Sequence, residues 1–360
     1  MRRNGIQTIA LILGLWLGAV SPASPPLPPA TGPATTRSVA TFRNPILEGG
    51  ADPWLFYHDG AYYLTCTHGR GIDVWKSASL GDLSHAPRRR IWRAPTDGPA
   101  SQHIWAPEIH HIDGRWYVYF AADDGNDANH RIYVLQSAGG DPLGPYVFKG
   151  KVSDPSDQWA IDPTVFEKPD ATLYMIWSGW PAPPGPQNLY IAQMSNPWTI
   201  RGRRVEISSP TLDWEMRGWR VNEGPEVLCR NGKIFLIYSA SGATGPDYCL
   251  GMLSNSDGDV LNGHSWVKSP QPVFHRYLGS DGNVFGPGHC GLFRSPDGTE
   301  DWISYHGREN NDTTWIGRSI RAQKFTWTRE GLPDFGRPIP AGVSLPVPSG
   351  ERENQPKGAR

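Results

Sequence analysis

Cysteine is scarce in this chain of 360 residues, which has only Cys66, Cys229, Cys249 and Cys290. Their spacing matches no zinc pattern and is too sparse for a disulfide scaffold. They are expected as buried free thiols in strands. Charge is low, at 19% of residues, and balanced, with 34 basic against 35 acidic side chains. That leaves no electrostatic footprint for nucleic acid and no basic stripe for an anionic membrane. Long helical patterns are missing too. The 41 Gly and 35 Pro interrupt the chain too often for them and suit short strands joined by turns. What the chain does have is aromatic surface, including 16 Trp. Trp and Tyr suit sites where a flat apolar face, such as a sugar ring, must be covered while a polar tip stays wet.

The ends read differently from the middle. Residues 1–24 have the order of an export signal: Arg2 and Arg3, an apolar run from Ile6 to Val20, then small residues at Ser21-Pro22-Ala23-Ser24. The run is shorter than the ~20 residues of a membrane span. Residues 25–40 are a Pro/Thr-rich leader and residues 349–360 a flexible tail, leaving 41–348 as the folded domain. The expected product is a secreted monomer, with no membrane contact after signal cleavage.

Within that domain an aromatic strand following a turn recurs five times. Its anchors are Tyr63, Tyr117, Tyr174, Phe235 and Trp302, at intervals of 54, 57, 61 and 67 residues. A short apolar strand precedes each anchor and a third strand follows most of them, as at Ile72–Trp75 and Arg131–Val134. Five repeats of three or four strands predict an all-β, five-bladed β-propeller. A long β-sandwich or two small β domains is the alternative.

Counting back 11 to 13 residues from the anchors gives Asp52, Trp105, Asp162, Glu223 and His289. Innermost strands of a propeller run side by side around its axis, so equal phases converge on one spot. Carboxyl groups crowded there cannot all ionise at similar pH, which yields one acid and one base. Two carboxyl groups flanking an acetal are what glycoside hydrolysis needs.

These segments resemble glycoside hydrolase family 43, the arabinan- and xylan-side-chain hydrolases. The matching stretches are Ala51-Asp52-Pro53, Trp105-Ala106-Pro107-Glu108, Ile161-Asp162-Pro163-Thr164, Asn222-Glu223-Gly224-Pro225-Glu226, Gly286-Pro287-Gly288-His289 and Gly317-Arg318. The resemblance implies an inverting enzyme with Asp52 as general base, Glu223 as general acid and Asp162 as the residue tuning that acid. It places Arg318 near the sugar and His289 beside the axis, where some members hold calcium through water; no cofactor is otherwise required. Trp105 and His289 join Arg318 as candidate substrate contacts, while Trp54 is expected to be buried beside Asp52.

The implied substrate is α-L-arabinofuranose on arabinan or arabinoxylan of the plant cell wall, with endo-arabinanase or β-xylosidase action as the alternative. A non-catalytic glycan-binding propeller is the reading from another class. The run Asp123–Asp127 is expected as a solvated turn, since it lacks the closing Glu of a calcium loop. Arg88–Arg90 is expected as a solvated face or a loop at the cleft. Segments 180–187 and 201–219 are candidate walls for the funnel.

Overall fold

The computed structural model describes residues 40–351. The expected signal over 1–24, nearly all of the leader and most of the tail lie outside the described residues. Five antiparallel sheets form five blades, with helical structure among the described residues limited to short 3-10 turns. The innermost strands are Ala51–His58, Gln102–Ile112, Ala160–Glu167, Asn222–Arg230 and Gly282–Arg294. The five aromatic anchors all lie on the second strands, such as Ala61–Thr67 and Leu173–Gly179. The fold is the expected five-bladed propeller.

Second strands read as unbroken apolar runs because both faces are covered. Leu173–Gly179 is buried at every position. The apolar clusters lie between blades, not within one central core. One joins Leu64 and Tyr62 of the first blade to Trp302 and Ile320 of the fifth, and four others fill the remaining blade interfaces. At roughly 1.5–3 kcal/mol per fully buried large apolar side chain, these wedges supply most of the drive to close the ring.

Every innermost strand breaks register, the second and fifth of them twice. One break in each falls at Asp52-Pro53, Ala106-Pro107, Asp162-Pro163, Gly224-Pro225 and His289. A proline supplies no N–H to the ladder, so a bulge is where a strand tolerates one. The residue opening each bulge has positive φ, at +57° for Asp52, +42° for Ala106, +52° for Asp162, +52° for Gly224 and +46° for His289. Side chains in that region are strained and cluster at functional sites. Four of the five bulge N–H groups donate to a side chain of the preceding blade. Asp52 N–H donates to His306 Nδ1, Ala106 to Thr67 Oγ1, Gly224 to Asp162 Oδ2 and His289 to Ser239 Oγ. These bonds stitch the blades together at the level of the site.

Two expectations need correction. Cys66, Cys249 and Cys290 are buried and unpaired as expected, but Cys229 is exposed, because it lies near the outer end of its strand. Arg88–Arg90 is a solvated face, one of the two readings, on the fourth strand of the first blade, with Arg88 and Arg89 exposed and Arg88 and Arg90 paired with the buried Asp73. The segment 201–219 is not one loop, since Thr199–Ser208 is the outer strand of the third blade and only the stretch between Ser208 and Asn222 is a connection.

Candidate active site

The bulges put their side chains into one pocket of about 1170 Å³ at the mouth of the propeller. It brings together Asp52, Trp105, Asp162, Glu223, His289 and Arg318, all six candidates from the sequence. They do not share one phase, however. Asp52, Asp162 and His289 open their bulges, whereas Glu223 and Trp105 stand one residue earlier, beside Gly224 and Ala106. Gly224 is required where a third carboxylate would have stood. A Cβ there would lie 3.1 Å from the His289 ring, and φ is positive.

Asp52 is surrounded by positive and donor groups. Thr67 Oγ1 donates to its Oδ2 at 2.6 Å, and His289 Nδ1 and Arg318 Nη1 lie 3.2 and 3.8 Å from its Oδ1. Burial alone would raise its pKa, but the charges of His289 and Arg318 outweigh burial and hold the carboxyl well below the usual range. Burial keeps His306 neutral, with its pKa lowered to about 4. That agrees with His306 Nδ1 accepting the Asp52 N–H.

Glu223 sits in the opposite environment. Burial raises its pKa above the ordinary value, and the Asp52 charge adds to this, against the donors Tyr248 and Gln187. Tyr248 OH donates to Oε1 and Gln187 Nε2 to Oε2, each at 2.8 Å. Asp162 is raised too, first by burial and then by Glu223 and Asp52. His289, whose Nδ1 lies 4.0 Å from Asp162 Oδ2, is raised by Asp52, Asp162 and Glu223 despite its burial. The cluster therefore pairs a carboxylate that stays ionised with a carboxyl that keeps its proton longer.

The walls are aromatic. Trp159 and Trp180 stack in parallel at 4.4 Å, and Trp105 stacks on His130 at 4.1 Å. Trp219 and Trp315 stand opposite, 5.8 Å apart, and are 49% and 57% exposed. Arg318 lies over Trp315 at 5.3 Å, and its buried Nε has no hydrogen-bond partner. Trp54 is half-buried and outside the pocket, with its Nε1 donating to Ile109 O. Segment 180–187 does form a wall. Its Gln187 is tied to the next connection, accepting from Asn222 N–H and donating to Arg220 O.

The calcium expected at His289 would be held through water, and among the described residues His289 belongs to no group of three side-chain metal donors that could bind it directly. The one such group is His103, Asp123 and His130, beside the pocket. Two of its three donors are imidazoles, a poor match to the oxygen preference of calcium. The group corrects the reading of Asp123 as a solvated turn. Asp123 is fully buried and bonds His103 Nδ1 at 2.8 Å, holding up His130 beneath Trp105.

Sequence reasoning missed Tyr248, His306 and Thr67. Each lies on or beside a second or third strand, where an aromatic or polar residue at a strand end looks like ordinary blade packing.

The profile of glycosyl hydrolases family 43 matches residues 42–333. The chain belongs to that family and is a glycoside hydrolase. It is 41% identical over 361 aligned positions to an extracellular exo-α-(1→5)-L-arabinofuranosidase of Streptomyces avermitilis, covering 96% of this chain and 72% of that one. It is also 41% identical to the enzyme of the same name from Streptomyces chartreusis, covering 75% and 83%. Among solved structures, the α-L-arabinofuranosidase from Lactobacillus brevis superposes with a TM-score of 0.79 at 40% identity, covering 84% of this family 43 chain and 98% of the other.

Proposed function

We propose that this family 43 hydrolase is a secreted, inverting, exo-acting α-L-arabinofuranosidase, folded from residues 41–348 and acting as a monomer on arabinan or arabinoxylan. The observation that carries the reading is the split between Asp52 and Glu223 across one aromatic pocket. The charges of His289 and Arg318 hold the Asp52 carboxyl well below the usual range, while burial raises that of Glu223 above it. The names of the relatives supply the sugar. The backbone bonds between Gln187 and residues 220–222 join two stretches of the pocket wall, which supports action at a chain end.

In this reading Asp52 takes a proton from water as the water oxygen attacks the anomeric carbon. The bond to the leaving oxygen breaks, and that oxygen receives the proton of Glu223. Arabinose leaves with inverted configuration, and proton exchange with solvent restores both carboxyl groups. Asp162, whose own pKa is raised first by burial, accepts the N–H of Gly224 at 3.0 Å and so orients the backbone beside Glu223. Arg318, which lines the pocket beside Asp52, supplies guanidinium donors to the sugar.

The test is product analysis on linear (1→5)-arabino-oligosaccharides, arabinoxylan and xylobiose, with the anomer followed by proton NMR. Arabinose as the sole early product, released with inversion, supports the proposal. Early oligomers would make the action endo, and xylose alone would make the enzyme a xylosidase. Glu223→Ala should lower kcat on the oligosaccharides by roughly 10²–10⁴-fold with the fold retained. A propeller that merely binds glycan would show no turnover to lose.

A further inference from the structure

Glu215 is a fully buried carboxylate that takes no part in the scheme above. It ends a short 3-10 turn, Asp213–Glu215, on the connection between the third and fourth blades. Both of its oxygens are saturated. Oε2 accepts the backbone N–H groups of Thr211 and Leu212, each at 2.8 Å. Oε1 accepts Tyr238 OH and Asn222 Nδ2, each at 2.9 Å. Lys268 Nζ reaches both oxygens, at 2.7 and 3.0 Å. A buried charge left unpaired would cost several kcal/mol, and so complete a donor set fixes the geometry around it.

What it fixes is the residue before the general acid. The Asn222 side chain lies between Glu215 Oε1 and Ser208 Oγ, which donates to Asn222 Oδ1 at 2.7 Å. The Asn222 carbonyl accepts Ser178 Oγ at 2.9 Å, and its N–H donates to Gln187 O at 2.9 Å. Gln187 in turn donates to the Glu223 carboxyl. The Glu215 carbonyl accepts the N–H groups of Val221 and Ser241, pinning the connection that carries Trp219. No bond in this set touches the Asp52 side of the pocket.

We propose that Glu215 is a positioning residue for the general acid, acting through Asn222 and Gln187 to aim the Glu223 carboxyl at the leaving oxygen. The proposal rests on the assignment of Glu223 as that acid. It predicts a selective defect. A substrate whose leaving group departs easily needs little protonation, whereas a sugar alcohol needs it fully. Small misplacement of the acid therefore harms the second and spares the first.

The experiment compares kcat on (1→5)-linked arabinobiose and on 4-nitrophenyl α-L-arabinofuranoside for the wild type, Glu223→Gln, Glu215→Gln and Tyr238→Phe. Glu223→Gln should lose far more on arabinobiose than on the aryl substrate. Glu215→Gln should show the same skew, with about a tenfold loss on arabinobiose and less than about threefold on the aryl glycoside. Tyr238→Phe removes one hydroxyl from the network and leaves the ring in the core. It should show a smaller skew in the same direction, and it decides the matter if Glu215→Gln does not fold. Equal losses on both substrates, or none, in the folded variants would overturn the positioning role while Glu223→Gln remains skewed. Absence of skew in Glu223→Gln would overturn the acid assignment itself, and the proposal with it.

Discussion

Asp52 and Glu223 differ in charge because their neighbours differ, and the neighbours can be changed one at a time. The competent form has Asp52 ionised and Glu223 protonated. Activity rises with pH as Asp52 loses its proton and falls as Glu223 loses its own, so kcat/KM against pH should be a bell on the acid side of neutrality. Arg318 is one of the groups holding Asp52 low. In Arg318→Gln the acid limb should move to higher pH while the alkaline limb stays, and kcat/KM at the optimum should fall about tenfold or more through the lost contact to sugar. An unmoved acid limb would remove Arg318 from the control of Asp52.

A second buried acid gives a stability prediction. Glu226 stands two residues beyond Gly224, and burial together with the adjacent Glu108 pushes its pKa well above the ordinary value. Glu108 is itself bonded to His110 at 2.8 Å. An acid whose folded pKa is raised binds its proton more tightly in the native state. Stability is then lost as pH rises from the unfolded value toward the folded one. Glu226→Gln removes this dependence. Its Tm should match the wild type near pH 4 and exceed it by about 1–3 °C at pH 7.5, measured by thermal unfolding.

The inner strands explain what could be read in advance. A proline after Asp52, Ala106, Asp162 and Gly224 marks four of the five bulges in the sequence itself, and the aromatic anchors made the five-fold repeat and the convergence of its side chains legible. The one-residue offset of Glu223 and Trp105 was not, because counting from aromatic anchors cannot resolve which residue takes positive φ. His306 and Tyr248 were not legible because their roles depend on which blade lies next around the ring. Asp123 escaped for a related reason. A polar run resembles a turn until His103 and His130 fold over its first residue.

The rim tryptophans are a property of two connections brought together. Trp219 and Trp315 remain about half exposed beyond Arg318, where sugars past the first would lie in an exo-acting enzyme. Replacing either with Ala should raise KM for arabinotriose about 3- to 10-fold, the worth of one aromatic face. KM for the aryl arabinofuranoside should change little, since it has no second sugar. Equal effects on both would place these rings against the first sugar instead.

Ring closure belongs to the whole molecule. Five blade interfaces each hold an apolar wedge, and the one between the first and fifth blades has no covalent connection of blade to blade along the chain. It is closed instead by the N-terminal segment lying against the strand Ser319–Trp327. Ile46 N–H donates to Ile320 O at 2.8 Å, and Ile320 N–H returns a bond to Leu47 O at 2.9 Å. The buried Asn44 adds a two-way clasp, with Nδ2 donating to Ala322 O and Oδ1 accepting Ala322 N–H, both at 2.9 Å. Asn44→Ala would leave that backbone N–H and carbonyl buried without partners, at a cost of about 2–4 kcal/mol. Tm should fall by roughly 5–10 °C in a transition that stays cooperative. The kcat of the folded variant should be unchanged, because the clasp lies on the third strand of its blade while Asp52 and Glu223 are held by innermost strands. A fall in kcat without a fall in Tm would mean that the seam controls the geometry of the pocket and does not merely hold the ring shut.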